Sequence, residues 1–273
     1  MKTNSTFKYN IGSFLLVFLL LAACQKAELL TYNHNTGIYF NLSNANRDSI
    51  VYTFAYNINK ASDTIYIPVS ISGIREDKDR VYHAYIEVDS SSAQEGVHYQ
   101  KLAESYVMNS GDGKTMLPLV IYNTPDLEEN SVSVIVKLKE SADFHIENPN
   151  IIRAKVVFSA RLEQPMWWSM WLGEYSRTKH QLFLIATEQT TLTMDGLDAP
   201  KNLFFADLLN MMLNNPFQWV DKNQEKGYAL STDDNGVTYK FYHKDNPNRT
   251  ILLRKNTGSG LFRFIDELGR EVR

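Results

Sequence analysis

Residues 64–72, Thr-Ile-Tyr-Ile-Pro-Val-Ser-Ile-Ser, alternate apolar and polar side chains along a short segment. On an extended chain the apolar members share one face, and they are Ile65, Ile67, Val69 and Ile71. Alternation with a period of two is typical of a β-strand with one face on a core. Because Pro68 has no amide hydrogen to donate to a neighbouring strand, we expect an edge strand or a bulge there.

Further segments with strand character follow one another between residues 37 and 158, separated by Gly, Asp, Asn and Ser. They are Gly37–Phe40, Ile50–Ile58, Thr64–Ser72, Val81–Val88, Met116–Tyr122, Val132–Lys139 and Ile152–Phe158. No helical pattern of any strength interrupts them. Seven such segments predict a mainly β chain with an antiparallel, immunoglobulin-like sandwich at residues 37–160.

Residues 161–273 predict a smaller α+β domain. Its start, residues 165–172, contains Trp167, Trp168 and Trp171, three of the four tryptophans of the chain. Exposed rings could stack on sugars, whereas buried rings would pack the joint between the domains. The run Met-Trp-Trp-Ser-Met-Trp favours packing, because its aromatic residues are not spaced as a platform.

Within this second domain, Lys179–Thr187 has a strand-like apolar centre, and Leu203–Leu213 has the pattern of a helix. Asp207, Asn210 and Asn214 would form one narrow polar stripe on that helix, so we expect most of it to be buried. The segment after Gly227 alternates between apolar and turn residues, which predicts a set of hairpins.

Composition limits the class of protein. The chain has 273 residues, of which 44% are hydrophobic and 22% charged, with a net charge of −3. Such a chain is neither a disordered tail nor a disulfide-stapled mini-protein, and its length suits one large or two modest domains. The weak negative charge argues against a nucleic-acid partner, because phosphate binding needs a dense basic surface.

The first 23 residues predict a secretory signal peptide. Lys2 and Lys8 precede the uncharged run Ile11–Ala23, which is too short for a membrane span of about 20 residues. A basic head, a short apolar run and small residues at its end are typical of an export signal, whereas a buried core helix would not start behind such a head.

The segment Leu21-Ala22-Ala23-Cys24 resembles the bacterial lipobox. The resemblance implies cleavage before Cys24 and acylation of its thiol, with residues 24–36 as a tether and the membrane as a partner. Cys24 is the only cysteine, so no internal disulfide can form. Loss of Lys2 and Lys8 changes the net charge to −5. Gln25 and Lys26 follow, without the aspartate of inner-membrane retention, which favours the outer membrane and leaves its periplasmic or external face open.

Residues 92–99, Ser-Ala-Gln-Glu-Gly-Val-His-Tyr, resemble a turn of Calx-β domains, which are immunoglobulin-like sandwiches. Ala93, Gly96 and Tyr99 match that turn, and His98 stands where those domains usually have Asp. Some Calx-β relatives bind calcium through loop carboxylates, which makes Glu76, Asp77 and Asp79 candidate ligands. Solvated turn chemistry explains these three residues better.

The chain also resembles a group of Bacteroidetes lipoproteins of unknown function. The segments that carry the resemblance are Ile38-Tyr39-Phe40, Asp48-Ser49-Ile50 with Tyr52 and Phe54, Ile67-Pro68-Val69, Asp79-Arg80 with Tyr82, Gly96-Val97-His98-Tyr99 and Gly173-Glu174-Tyr175-Ser176. That group has no established activity, so the resemblance implies a cellular location and a domain architecture rather than a reaction. Asp48-Ser49-Ile50 and Asp63-Thr64-Ile65 also resemble short O-glycosylation sites, with Ser49 and Thr64 as acceptors.

Motifs for catalysis are missing from the sequence. The six histidines, at positions 34, 83, 98, 145, 180 and 243, are too far apart for a local zinc motif. Gly111-Asp112-Gly113-Lys114-Thr115 lacks the first glycine of a phosphate loop, and no G-x-S-x-G sequence occurs. We therefore expect no cofactor, no metal site and no enzyme.

Two functions remain open from the sequence. The preferred one is a lipid-anchored envelope protein that binds a ligand or partner, either a glycan or an envelope protein, as an accessory to glycan uptake. The alternative is a lipid-anchored hydrolase whose site is assembled from dispersed Asp, Glu and His residues.

Overall fold

A computed structural model describes residues 35–273. The predicted signal peptide at 1–23, Cys24 and all but the end of the predicted tether lie outside these residues. Residues 36–273 form one compact unit. Two hydrophobic cores lie within it, one in the N-terminal sandwich (the first core) and one in the C-terminal part (the second core).

Two sheets form the sandwich. The three-stranded sheet has the order β1-β3-β6, with β1 at Gly37–Phe40, β3 at Ser62–Ser72 and β6 at Lys114–Tyr122. The five-stranded sheet has the order β2-β8-β7-β4-β5; its strands are β2 Ile50–Thr53, β4 Arg80–Ile86, β5 Tyr106–Met108, β7 Val132–Lys139 and β8 Arg153–Ser159. The mainly β fold is confirmed, and all seven predicted strands are present. The short strand β5 was not predicted.

The pairing is not antiparallel throughout. β2 runs parallel to β8, with Ile50 opposite Val156, while the other strand pairs of both sheets are antiparallel. The predicted alternation positions the first core: Ile65, Ile67 and Val69 are buried. The alternate positions of β7 face the same core, and they are Val132, Val134, Val136 and Leu138.

The prediction that Pro68 marks an edge or a bulge is wrong. β3 is the central strand of its sheet, and Pro68 pairs with Met116 without a shift in register. The carbonyl of Pro68 accepts a hydrogen bond from the amide of Asn41 at 2.9 Å, but Pro68 cannot return a bond from its nitrogen. The last residue of β3 that is paired in register with β1 is Val69, which lies opposite Phe40 and next to Pro68. The proline therefore lies where pairing with β1 ends.

The C-terminal part combines four helices with a four-stranded antiparallel sheet, as the α+β prediction requires. The helices are α1 Trp168–Trp171, α2 Arg177–Thr187, α3 Ala199–Asn214 and α4 Pro216–Lys222. The strands are β9 Tyr228–Ser231, β10 Thr238–His243, β11 Asn246–Lys255 and β12 Phe262–Phe264, in the order β12-β11-β10-β9. Short 3-10 helices lie at Asn44–Asn46, Val88–Ser90, Pro125–Glu128, Gly196–Asp198 and Gln224–Lys226.

Residues 179–187 form a helix, so the strand prediction for this segment is wrong. The hydroxyl of Ser176 accepts a hydrogen bond from the amide of Lys179 at 3.1 Å and caps the helix. All residues of α2 except Arg177 are buried. A helix that is buried on every side lacks the amphipathic period that identifies most helices, and its apolar centre then resembles a buried strand.

Helix α3 confirms the predicted helix, but it is less buried than predicted. Leu209 and Met212 face the second core, whereas Leu203, Phe204 and Met211 are more than half exposed. None of the helices that the structure describes has both the length and the apolar character needed to cross a bilayer.

Trp167 and Trp168 are buried in the second core, with 7% and 0% of their surfaces exposed. Trp168 packs edge-on against Tyr175 and lies 4.9 Å from the ring of His180. Trp171 is half-buried, and its indole nitrogen donates to the carbonyl of Thr193 at 2.8 Å. These positions leave no flat aromatic platform at Trp167 and Trp168 for a sugar.

Candidate functional site

The predicted modification sites do not come together in one place. Cys24 lies outside the described residues. Ser49 precedes β2 and is half-buried. Thr64 lies in β3, also half-buried, and its amide donates to the carboxylate of Asp63 at 2.8 Å. Asp63 is further paired with Lys60 at 3.0 Å. The O-glycosylation interpretation of Ser49 and Thr64 therefore stays a prediction.

Carboxylates of the acidic loop, residues 76–79, bind neighbouring groups of the protein. Glu76 pairs with Lys78 at 3.0 Å, and Asp79 accepts a hydrogen bond from the amide of Ser110 at 2.8 Å. Over residues 35–273 no three His, Cys, Asp or Glu side chains are arranged to hold a metal ion. The turn chemistry preferred from the sequence accounts for these contacts.

His98 holds the turn at residues 92–99. Its Nδ1 accepts a hydrogen bond from the amide of Gln94 at 3.0 Å, and its Nε2 lies 2.9 Å from the carboxylate of Asp126. Burial would raise the pKa of Asp126, but hydrogen bonds from Thr124 and His98 outweigh it and lower that pKa. His98 therefore ties the turn to the loop after β6, which is a structural role.

One opening lies beside α3 and the last residues of the chain. This C-terminal groove has a volume of about 520 Å³ and is lined by Glu174, Lys179, Asp266 and Arg270, among others. The guanidinium of Arg270 lies between Glu174 and Asp266, at 2.6 and 2.9 Å. Lys179 donates to the carbonyls of Leu172 and Glu174. Since Arg270 pairs with both carboxylates and Lys179 is bonded to backbone carbonyls, these four side chains have little left to offer a ligand.

A second opening has a different character. It has a volume of about 450 Å³ and lies between the loop after β2, the end of α2 and strands β9 and β10. We call it the tyrosine cleft. Its lining residues are Tyr56, Ile58, Asn59, Leu184, Ile185, Glu188, Thr190, Glu225, Lys226, Tyr228, His243 and Asp245. Tyr56 is 52% exposed, and burial raises the pKa of Tyr228, which therefore keeps its proton.

A small inner chamber of about 20 Å³ adjoins the tyrosine cleft, and Ile58, Ile185, Tyr228 and His243 line both. Arg249 lines the chamber and is 7% exposed. Its Nε donates to Glu128 and its Nη1 to Asn123, each at 2.8 Å, but its buried Nη2 has no partner among the described residues. An unsatisfied buried donor lowers the free energy of unfolding by about 1–3 kcal/mol. A ligand atom that accepts a hydrogen bond from this guanidinium would recover that cost.

The backbone of the cleft is held in unusual conformations at two points. Glu188, just past the end of α2, has a φ of 57°, a left-handed value that is uncommon outside glycine. Gly227 has a φ of 76°, and an added Cβ would lie 2.6 Å from Nε2 of His243. Lys226 forms an ion pair with Glu188. These features fix the positions of the charged residues at the mouth.

The sequence alone does not indicate this cleft. Its residues come from four separated segments, around positions 56, 188, 228 and 243. Each segment looks like an ordinary turn or strand end by itself. Only the packing of the C-terminal sheet against α2 and the loop after β2 brings them together.

Comparison with known proteins identifies the family. Residues 32–189, more than half of the chain, match the family model described as a domain of unknown function, DUF4843. The chain belongs to the DUF4843 family. The DUF4843 match covers the sandwich and ends just after α2, so it includes the Tyr56 and Glu188 sides of the cleft but not Tyr228 or His243.

Three solved structures from Bacteroides ovatus show partial similarity. A protein of unknown function is 16% identical over 44% of this chain and 43% of its own, with a TM-score of 0.35. A "putative carbohydrate binding protein" is 11% identical over 46% and 38%, with a TM-score of 0.32. A multidomain protein including DUF1735 is 11% identical over 86% and 72%, with a TM-score of 0.33. The DUF4843 chain thus spans less than half of the first two. No curated protein matches it.

Proposed function

We propose that this protein is an exported, lipid-anchored envelope protein that binds a saccharide in the tyrosine cleft without catalysing a reaction. The anchor rests on the basic head, the apolar run and Cys24. Gln25 and Lys26, in place of the aspartate of inner-membrane retention, favour the outer membrane. The separate cores support a sandwich domain at 37–160 and an α+β domain at 161–273. The finer resemblance to Calx-β sandwiches belongs to the same proposal.

The unpartnered Nη2 of Arg249 carries the binding proposal. Arg249 lines the inner chamber, which holds about 20 Å³, enough for one water-sized group. A sugar hydroxyl has that size and can accept the free hydrogen bond. Tyr56 and Tyr228 line the adjoining cleft, and aromatic rings combine apolar contact with a polar edge. A pocket of this kind, with few directed polar groups, is typical of a small-molecule site.

Binding without catalysis is favoured by the carboxyl groups. Hydrolysis of a glycosidic bond generally needs one carboxylic acid whose pKa is raised. The described carboxyl groups whose pKa is displaced are all displaced downward, and they are Asp63, Glu87, Asp126, Asp234, Asp266, Glu267 and Glu271. None of these seven lines the tyrosine cleft.

One observation favours the hydrolase alternative. The tyrosine cleft collects Glu188, Glu225, Asp245 and His243 from separate segments, which is the dispersed arrangement that a hydrolase would need. The same oligosaccharides should therefore be assayed for release of reducing ends. Turnover that disappears in Glu225→Gln or Asp245→Asn would replace the binding proposal with the enzyme.

The test of the binding proposal is a glycan screen of the full chain in detergent, followed by calorimetric titration of each hit. Tyr56→Ala removes the exposed ring of the cleft and should weaken binding about tenfold, as loss of a stacked aromatic face does. Tyr66→Ala is the matched control, because Tyr66 is 63% exposed on β3 and does not line the cleft. Equal effects of the two changes, or a screen without hits, would contradict the proposal.

A further inference from the structure

The charges at the mouth of the tyrosine cleft are unbalanced. Three carboxylates line it, Glu188, Glu225 and Asp245, against the single ammonium of Lys226. Lys226 is already paired with Glu188. Glu225 has no hydrogen-bond or ion-pair partner among residues 35–273, and the carboxylate of Asp245 lies 3.8 Å from Nδ1 of His243. The mouth therefore carries two carboxylates without a cationic side chain to neutralise them.

Arg249 does not reverse this balance. Its charge is compensated by Glu128 at 2.8 Å, and only one nitrogen, Nη2, is left without a partner. The chamber that Arg249 lines admits one small group of about 20 Å³, which suits a hydroxyl oxygen and is too small for a carboxylate of three heavy atoms. An acidic sugar would have to leave its carboxylate at the mouth, beside Glu225 and Asp245.

We propose that the tyrosine cleft selects saccharides that carry a free ammonium group over neutral and carboxylated ones. This inference rests on the proposed function. A ligand hydroxyl accepts from Arg249 in the chamber, while the ammonium group lies at the mouth and donates charge-assisted hydrogen bonds to Glu225 and Asp245. The exposed ring of Tyr56 also attracts a cation. A ligand carboxylate meets like charges in the same place, which disfavours it.

The experiment compares three disaccharides by calorimetric titration of the full chain in detergent: a glucosamine disaccharide, its N-acetylated counterpart and a galacturonate disaccharide. The first two share a backbone and differ in the N-acetyl group, which removes the charge on nitrogen. We expect the amine to bind about tenfold more tightly than the N-acetylated sugar at low ionic strength, with the uronate weakest. Added salt should narrow these differences, because the mouth is open to solvent.

Two variants separate the cleft from the overall negative charge of the protein. Glu225→Gln should weaken binding of the amine several-fold more than it weakens binding of the N-acetylated disaccharide. Asp89→Asn removes an exposed carboxylate in the sandwich that lines no part of the cleft, and it should leave the preference unchanged.

The outcomes distinguish the two proposals. Equal affinity for all three disaccharides, or a preference that Asp89→Asn lowers as much as Glu225→Gln does, overturns the charge selection and leaves saccharide binding in place. If the disaccharides do not bind and the glycan screen has no hits, the proposed function is wrong, and the selection proposed here is wrong with it.

Discussion

Arg249 and Glu128 form an ion pair between the two parts of the protein, with Nε of Arg249 2.8 Å from Oε1 of Glu128. Glu128 ends the 3-10 helix that places Leu127 in the first core, and Arg249 lies on β11, which contributes Leu253 to the second. The side chain of Arg249 is 5% exposed and that of Glu128 26%. The two partners therefore differ in their access to water.

This difference predicts unequal effects of removing either partner. Glu128→Ala leaves a buried guanidinium without its counter-charge, which costs about 3–5 kcal/mol of unfolding free energy when a pair is fully buried. We expect a value near about 3 kcal/mol here, because Glu128 is partly exposed. Arg249→Met should cost less, since the remaining carboxylate can be hydrated and the methionine fills apolar space.

Urea melts of the two variants and the wild type measure these free energies. Lys240→Met serves as a control, because its ion pair with Asp233 is more than half exposed on both sides and such exposed pairs contribute little to stability. Arg249→Met that is at least as destabilising as Glu128→Ala would show that the exposure of the partners does not decide the cost.

The tryptophans provide a second prediction. Trp168 is fully buried, so Trp168→Ala should lower the free energy of unfolding by about 3–5 kcal/mol. Trp171 is half-buried, so Trp171→Ala should lower the free energy of unfolding by less than Trp168→Ala does. Met166 lies in the same run but is 90% exposed, and Met166→Ala should stay within about 0.5 kcal/mol of wild type. Denaturant midpoints for the three single variants decide this order, and a wild-type midpoint for Trp168→Ala would contradict the burial.

The sandwich could be predicted because each strand has one face on the core and one on the solvent. Ile65, Ile67 and Val69 show this in their alternation, and the burial pattern follows it. Ser70 is an exception: it is a polar residue that is 3% exposed. Strand β5 was missed because three residues, Tyr106–Met108, are too few to show a period.

Helix α2 and the tyrosine cleft could not be predicted in this way. The buried polar residues Lys179, His180 and Gln181 precede an apolar run, and no face of the helix points to solvent. The cleft depends on the packing of distant segments, so Tyr56 and His243 carry no local signal for each other. The ion pair of Arg249 and Glu128, 121 positions apart, is equally invisible in one sequence.

Cys24 is the subject of a third prediction. If it carries the acyl chains, Cys24→Ser should leave an uncleaved or soluble precursor, because no other cysteine can form the thioether. Metabolic labelling with a clickable fatty acid, followed by detection of labelled protein in membrane fractions, is the measurement. If the serine variant incorporates the label, another residue carries the acyl chains and the prediction is wrong.

His180 provides the last prediction. Its ring is fully buried against Trp167, Trp168 and Tyr175, and its Nε2 has no hydrogen-bond partner in the described part of the chain. Burial lowers the pKa of His180 to about 4. The unfolded chain takes up this proton as the pH falls through about 6.5, whereas the folded chain does so only near about 4.

Between these pH values the unfolded state holds more protons, so acid lowers stability through His180. The loss amounts to about 3 kcal/mol between pH 7 and pH 4. His180→Phe should remove it, and urea melts across this range should show a flatter profile than wild type. Parallel profiles for wild type and His180→Phe would mean that the buried ring is not what makes the fold sensitive to acid.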